Sequence, residues 1–184
     1  MIQTQRLVLR QWQDDRRRAF ARMHADPEVM LVLCGPIDDD ASDAKFDRYR
    51  LAYREHGVSR WAVEDDDGMF VGYAGVMPRL SAGHPLGPHY EVGWRFIRRA
   101  WGRGYATESA SAALEHAFRR CGLKEIFSYT SPDNLRSQAV MARLNLRRDP
   151  SRDFATEYEG AGLWRGLVWV TWPNVFPTDR CIQN

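Results

Sequence analysis

A chain of 184 residues fits one domain of ordinary size and is long enough to bury a continuous core. Its 44% hydrophobic and 27% charged residues exclude a disordered chain, and a formal charge of +2 gives no electrostatic ground for nucleic-acid binding. Nearly all of the positive charge is arginine, whose planar fork suits bidentate contacts to phosphate.

Three cysteines, Cys34, Cys121 and Cys181, are odd in number, far apart and outside any metal-ligand spacing. Neither a disulfide framework nor a metal site is expected, and a reducing cytoplasmic location fits best. The opening MIQTQRLVLRQW lacks the apolar stretch of a secretion signal, and no apolar run approaches the roughly 20 residues of a membrane span. A soluble chain without a membrane partner is predicted.

In chain order, RLVLR at 6–10 reads as a short strand, and DDRRRAFARMHAD places acidic residues at a helix start with Ala19, Phe20 and Met23 at helical spacing. A second helix is predicted where DDDASDAKFDRYRLAYREHG begins acidic, carries Phe46, Tyr49, Leu51 and Tyr53, and stops at Gly57. SRWAVEDDDGMFVGYAGV, two apolar runs around an Asp/Gly turn, predicts a hairpin. Residues 77–89, MPRLSAGHPLGPH, hold three prolines and two glycines and read as a loop, after which YEVGWRFI is a third strand of the same sheet. TESASAALEHAFRRCG is the longest clear helix, with Ala110, Ala113, Leu114, Ala117 and Phe118 on one face and Gly122 closing it. KEIFSYT then reads as a strand, NLRSQAVMARLN as a helix and LVWVTW as a last strand. No repeat or linker interrupts this order, so a single mixed α/β domain over 1–184 is expected.

The chemistry concentrates in RRAWGRGYATES, residues 98–109, where the chain passes from a strand into the long helix. The first amides of a helix have no partner within it, and the helix dipole adds about half a positive charge there. Gly102 and Gly104 remove the Cβ atoms that would hold a ligand off, while Arg98, Arg99 and Arg103 add cations, so a diphosphate is the expected guest. A plain glycine turn is the simpler reading of the backbone alone. A Walker A loop is excluded because no Gly-Lys-Ser/Thr follows, and a dinucleotide fingerprint fits poorly because Thr107 stands where Gly or Ala is needed.

The remaining pattern, Arg99-x-x-Gly102-x-Gly104, resembles the acyl-CoA pyrophosphate motif of the GNAT superfamily of N-acetyltransferases. RLVLR, EVGW, WGRGYATE and TSPDNLRSQAVMARL follow one another as in its RimJ/RimL-like branch, over about residues 3–172. The resemblance implies a GNAT fold, α/β with flanking helices on a central, mixed but mostly antiparallel sheet of about seven strands, two of them splayed to admit pantetheine. It implies acetyl-CoA as co-substrate, no metal, and direct transfer to a primary amine such as a protein N-terminal α-amine or a small-molecule amine. A homodimer is compatible with it. The cofactor-binding residues it implies are Phe96, Ile97, Arg98, Arg99, Gly102, Arg103, Gly104, Tyr105, Ala106, Asn134 and Ser137.

The reaction needs a neutral amine, a polarised thioester carbonyl and a proton for the thiolate. In YEVGWRFI, strand alternation puts Glu91, Gly93 and Arg95 on one face, and Glu91 is either a base acting through water or a solvated strand-face carboxylate. Glu108 reads as a helix-end charge more than as a base. In the family Asn134 holds pantetheine and Ser137 lies near the thiol, although Asn134 is equally suited to cap the next helix. Where many relatives place a Tyr acid this chain has Met141, which leaves Ser137, or a water it holds, as the proton donor. Asn145 replaces a turn glycine and can take a left-handed conformation. Gly166 and Trp169 stand where relatives often carry His and Tyr, and Glu157 and Glu159 lie in a loop that reads as solvated charge. Two alternatives remain from other classes: a non-catalytic acyl-CoA-binding module, and a dinucleotide or nucleotide-sugar binder.

Overall fold

The structure, a computed structural model, describes residues 1–32, 35–158 and 162–174. Cys34, Cys181 and Glu159 lie outside them. In chain order the elements are β1 (Ile2–Gln3), β2 (Val8–Arg10), α1 (Arg17–Ala25), α2 (Pro27–Met30), α3 (Asp39–His56), β3 (Arg60–Glu64), β4 (Phe70–Arg79) and β5 (His89–Phe96). They continue with α4 (Tyr105–Arg119), β6 (Ile126–Thr130), α5 (Leu135–Arg143), β7 (Arg147–Arg148), β8 (Phe154–Tyr158) and β9 (Gly162–Thr171). The spatial order of the sheet is β1-β2-β3-β4-β5-β6-β9-β7, with β8 added on β9, and only β5 and β6 run parallel.

This is the mixed, mostly antiparallel sheet expected, but among the described residues it has nine strands where about seven were expected. The added ones are very short or lie in a stretch that reads as a loop. β1 and β7 are two residues long, Arg147–Arg148 has no apolar member, and FATEY is held by its pairing with β9. The expected loop over 77–89 is also shorter, because β4 runs on to Arg79. Pro78 is tolerated there since β3 pairs with β4 only as far as Gly75, so that Pro78 has a strand neighbour on one side only.

Helix limits follow local chemistry. The Asp38 carboxylate accepts from the Ala41 amide at 2.8 Å at the start of α3, and Gly57, at φ 68°, ends it. α3 buries Phe46, Tyr49 and Ala52, whereas Leu51 is exposed, because burial follows the 3.6-residue period and Leu51 falls off that face. Asn145 takes φ 56°, the left-handed turn residue expected after α5.

Two cores sandwich the sheet. On one face α1 and α3 close over Trp12, whose ring meets Phe20 at 4.9 Å and Phe46 at 5.2 Å and whose indole N–H donates to the Arg60 carbonyl. On the other, Ala110, Leu114 and Ala117 of α4 pack on Val76, Val92 and Ile126, each large side chain contributing about 1.5–3 kcal/mol. The alanines let α4 lie close to the sheet.

One irregularity interrupts the sheet. β5 and β6 share a single register pair, Glu91 with Phe127, after which the Ser128 hydroxyl donates to the Val92 carbonyl at 2.9 Å. Beyond it β5 stays with β4 as far as Phe96, and β6 stays with β9 as far as Thr130, so the two halves of the sheet diverge. A gap opens between adjacent strands, aimed at the start of α4.

Candidate active site

Phe96 is buried in the core under α4 and Ile97 hands the chain over in extended conformation to a 3₁₀ turn at Arg98–Ala100. Gly102 (φ 75°) and Gly104 (φ 80°) are both left-handed, and Gly104 caps α4 without any side-chain bond. A Cβ at Gly102 would enter open space, and one at Gly104 would lie 3.3 Å from the Arg6 guanidinium. Two left-handed residues in a three-residue span turn the backbone so that the orphan amides of Tyr105 and Ala106 start the helix beside exposed Arg99 and Arg103. Arg98 is engaged instead with Glu28 at 2.8 Å and with the Trp101 ring at 4.8 Å.

The opposite lip is the start of α5. The Asn134 side-chain oxygen accepts from the Ser137 amide at 3.2 Å, so Asn134 does cap the helix, and Ser137 sits half-buried in the first turn. Arg136 lies 4.5 Å over Trp101, whose indole N–H donates to the Phe96 carbonyl at 2.8 Å. Trp101, between Arg98 and Arg136, joins the glycine turn to α5 across the mouth of the gap. Met141 is buried in the core under α5.

Glu91 stands at the apex, where the strands part. Its two oxygens are taken by Arg60 at 2.8 Å and Arg79 at 2.7 Å, and the Tyr129 hydroxyl donates to it at 3.3 Å. Burial alone would raise its pKa, but the Arg79 and Arg60 charges and the Arg79 hydrogen bond outweigh that and hold it at about 2. The Arg60 guanidinium also donates to the Gly75 and Glu91 carbonyls. It lies over Gly93, where a Cβ would come within 2.6 Å of its nitrogen. Sequence reading saw Glu91 but neither arginine. The signal available was Arg60 inside SRWAVE, a charged residue in a strand that turns out buried at every position.

Glu108 is a strap. It accepts from the Thr4 hydroxyl at 2.7 Å, the Arg6 amide at 2.8 Å and the Arg6 guanidinium at 2.6 Å; burial opposes its ionisation, but these bonds prevail and lower its pKa. Gly166 lies under the rings of Phe154 and Trp164, which a Cβ would meet at 2.6–2.9 Å, and Trp169 is packed into the core with Arg148 over it. Glu157 is exposed on β8, apart from the Glu91 network.

The parting of β5 and β6 beside a bare glycine turn is the arrangement that the resemblance implies for an acyl-CoA site. The single parallel strand pair is not the doubly wound sheet that a dinucleotide fold requires. Residues 6–147 match the family profile described as the Acetyltransferase (GNAT) domain, and the chain belongs to that family. It is similar to the uncharacterized N-acetyltransferase YnaD of Bacillus subtilis, at 39% identity over 80% of this chain and 83% of that protein. It is also similar to the FsC-acetyl coenzyme A-N(2)-transacetylase of Aspergillus fumigatus, at 31% identity over 79% of this chain and 64% of that one. The crystal structure of an acetyltransferase from Agrobacterium tumefaciens superposes with a TM-score of 0.76 and 27% identity, covering 92% of each chain. The protein is an acetyl-CoA-dependent acetyltransferase.

Proposed function

We propose that the chain acts as one domain, with a core over about residues 3–172, that transfers the acetyl group directly to a primary amine of low pKa. A protein N-terminal α-amine or a small-molecule amine fits, in the manner of the RimJ/RimL-like branch whose motif order it shares. The observation that carries this reading is the divergence of β5 and β6 beyond Glu91 and Phe127, with the glycine turn on one lip and Asn134 and Ser137 on the other.

Acetyl-CoA, when bound, supplies the activated thioester. The protein's own groups do the rest in this proposal. The amides of Tyr105 and Ala106, left open by Gly102 and Gly104, hold the diphosphate, with Arg99 and Arg103 alongside. Asn134 orients the start of α5, and the Ser137 hydroxyl, or a water it holds, gives the departing thiolate its proton. Glu91 has both oxygens occupied and a pKa of about 2, so it accepts a proton only transiently through water. The amine must therefore arrive close to neutral. An α-amine loses its proton near pH 7.4 at a cost under about 1 kcal/mol, against about 4 kcal/mol for lysine.

The test is CoA release from peptides bearing either a free N-terminus or only a free lysine, between about pH 6.5 and 9.5. The α-amine peptides should react at least about tenfold faster at neutral pH. Faster lysine peptides would contradict the reading.

A further inference from the structure

The face of the sheet opposite α4 carries positive charge that no carboxylate among the described residues neutralises. Arg95 lies on the splayed half of β5, its guanidinium 2.9 Å from the Met30 sulfur and 5.6 Å over the Tyr73 ring. Its Nε is buried without a hydrogen-bond acceptor, and no carboxylate among the described residues pairs with it. Lys45 and Arg48 of α3 face the same region and are likewise without a carboxylate partner among the described residues. The acids of α3 turn elsewhere, Asp43 and Asp47 both binding Arg17. Glu91 is shared between Arg60 and Arg79.

The neighbours register this imbalance. Burial first, then the charges of Arg95, Arg48, Arg79 and Arg60, push the half-buried Lys45 ammonium down to about 7. His24, fully buried and 3.4 Å from the Tyr73 hydroxyl, is kept neutral, its pKa pushed down to about 3 by burial and then by Arg95 and Lys45. A half-buried guanidinium held without a counter-ion destabilises the fold that keeps it, and its terminal N–H groups are donors suited to a carboxylate.

The α4 face belongs to the diphosphate, so an amine approaching an acyl group in the gap comes from this opposite face. Resting on the amine-acetylation reading above, we propose that the acceptor carries an anionic group, a carboxylate near its amine, received by Arg95 with Lys45 beside it. The missing negative charge is then supplied by the substrate itself. A polycationic acceptor is repelled. The same positive field disfavours a protonated amine next to it, as it does for Lys45, so binding the carboxylate also brings the amine toward its neutral, nucleophilic form.

Matched acceptors test this: free amino acids against their amides, peptide amides beginning with Asp or Glu against Asn or Gln, and spermidine. CoA release is measured alongside calorimetric titration of each acceptor into the CoA-bound protein. In at least one pair the carboxylated member should bind and react about tenfold better, chiefly through KM, with spermidine at background. Arg95→Met should reduce that advantage to within about twofold, leave the KM for acetyl-CoA unchanged, and raise the melting temperature by a few degrees, since an unpaired, half-buried charge is gone. Arg95→Lys should restore part of the preference, and Lys45→Met gives the same readouts if Arg95→Met does not fold. Charge-selective binding without turnover of any amine would sink acetyl transfer and leave the anion site standing. Turnover without charge preference, or no carboxylated acceptor binding better than its neutral partner, overturns the anion site.

Discussion

Glu91 shows how a single residue's role depends on partners far away in sequence. Its carboxylate is ionised by two arginines, one 31 and one 12 positions distant, so it acts first as the counter-ion of Arg60 and Arg79. Its folded pKa of about 2 lies below the ordinary 4.5, so its stabilisation is complete above pH 4.5 and is lost as pH falls toward 2. Glu91→Gln leaves Arg60 buried without its charge partner and should cost about 3–5 kcal/mol at pH 7, read by urea unfolding. The rate should fall while the pH–rate profile between about 6.5 and 9.5 keeps its shape, because Glu91 titrates far below that window. A shifted acidic limb in the variant would mean that Glu91 titrates near neutrality. Strand alternation made the facing of Glu91 legible, but its partners were not: they depend on β3–β4–β5 register and on Gly93 leaving room for a guanidinium, neither of which a local pattern carries.

At the scale of elements, α4 was the most legible part of the chain, because its apolar face, its glycine entry and its closing Gly122 all agree. What the pattern did not reveal is why α4 starts where it does. Thr4 and Arg6, about a hundred residues earlier, grip Glu108 with four short bonds, and the Arg6 guanidinium also donates to the Arg103 carbonyl at 2.9 Å and lies 5.2 Å over Tyr105. The β1–β2 connection thereby fixes the turn that leads into α4, whose amides are proposed to hold the diphosphate. Glu108→Gln should lose about 1–3 kcal/mol of stability and weaken acetyl-CoA binding, although Glu108 makes no contact proposed with the co-substrate. Unchanged affinity alongside reduced stability would show that the cradle holds its shape without the strap. The strands β7 and β8 escaped sequence reading because β7 is only two arginines and β8, although FATEY alternates, is five residues long and runs into a Gly-rich stretch; both are held by β9.

Over the whole molecule, the electrostatics of the α1–α3 face should set how stability varies with pH. His24 is neutral in the fold down to about pH 3 and takes a proton near 6.5 when unfolded, so stability falls as pH drops below 6.5, by about 1 kcal/mol per unit. Lys45 has its folded pKa at about 7 against 10.5 unfolded, so the unfolded chain binds more protons between those values and stability rises with pH across that window. Urea midpoints should therefore climb from about pH 4.5 to beyond pH 9, and Lys45→Met should flatten the upper half of the climb. A maximum near neutrality that Lys45→Met does not alter would contradict the unpaired-cation account of this face. None of the described helices is long and apolar enough to cross a membrane.

The central claim is that acetyl-CoA is held by the left-handed glycine turn at the start of α4, and titration of acetyl-CoA into the wild type and Gly104→Val, followed by melting temperature, tests it most directly. Valine at φ 80° is strained by about 1–2 kcal/mol, and its Cβ would lie 3.3 Å from the Arg6 guanidinium, so the branched side chain distorts the turn whose amides are proposed to hold the diphosphate. At about 100 times its dissociation constant acetyl-CoA should stabilise the wild type by roughly 2.7 kcal/mol, several degrees, while the variant, folded by circular dichroism, shows no shift. An equal shift in both proteins, or none in the wild type, would contradict the account.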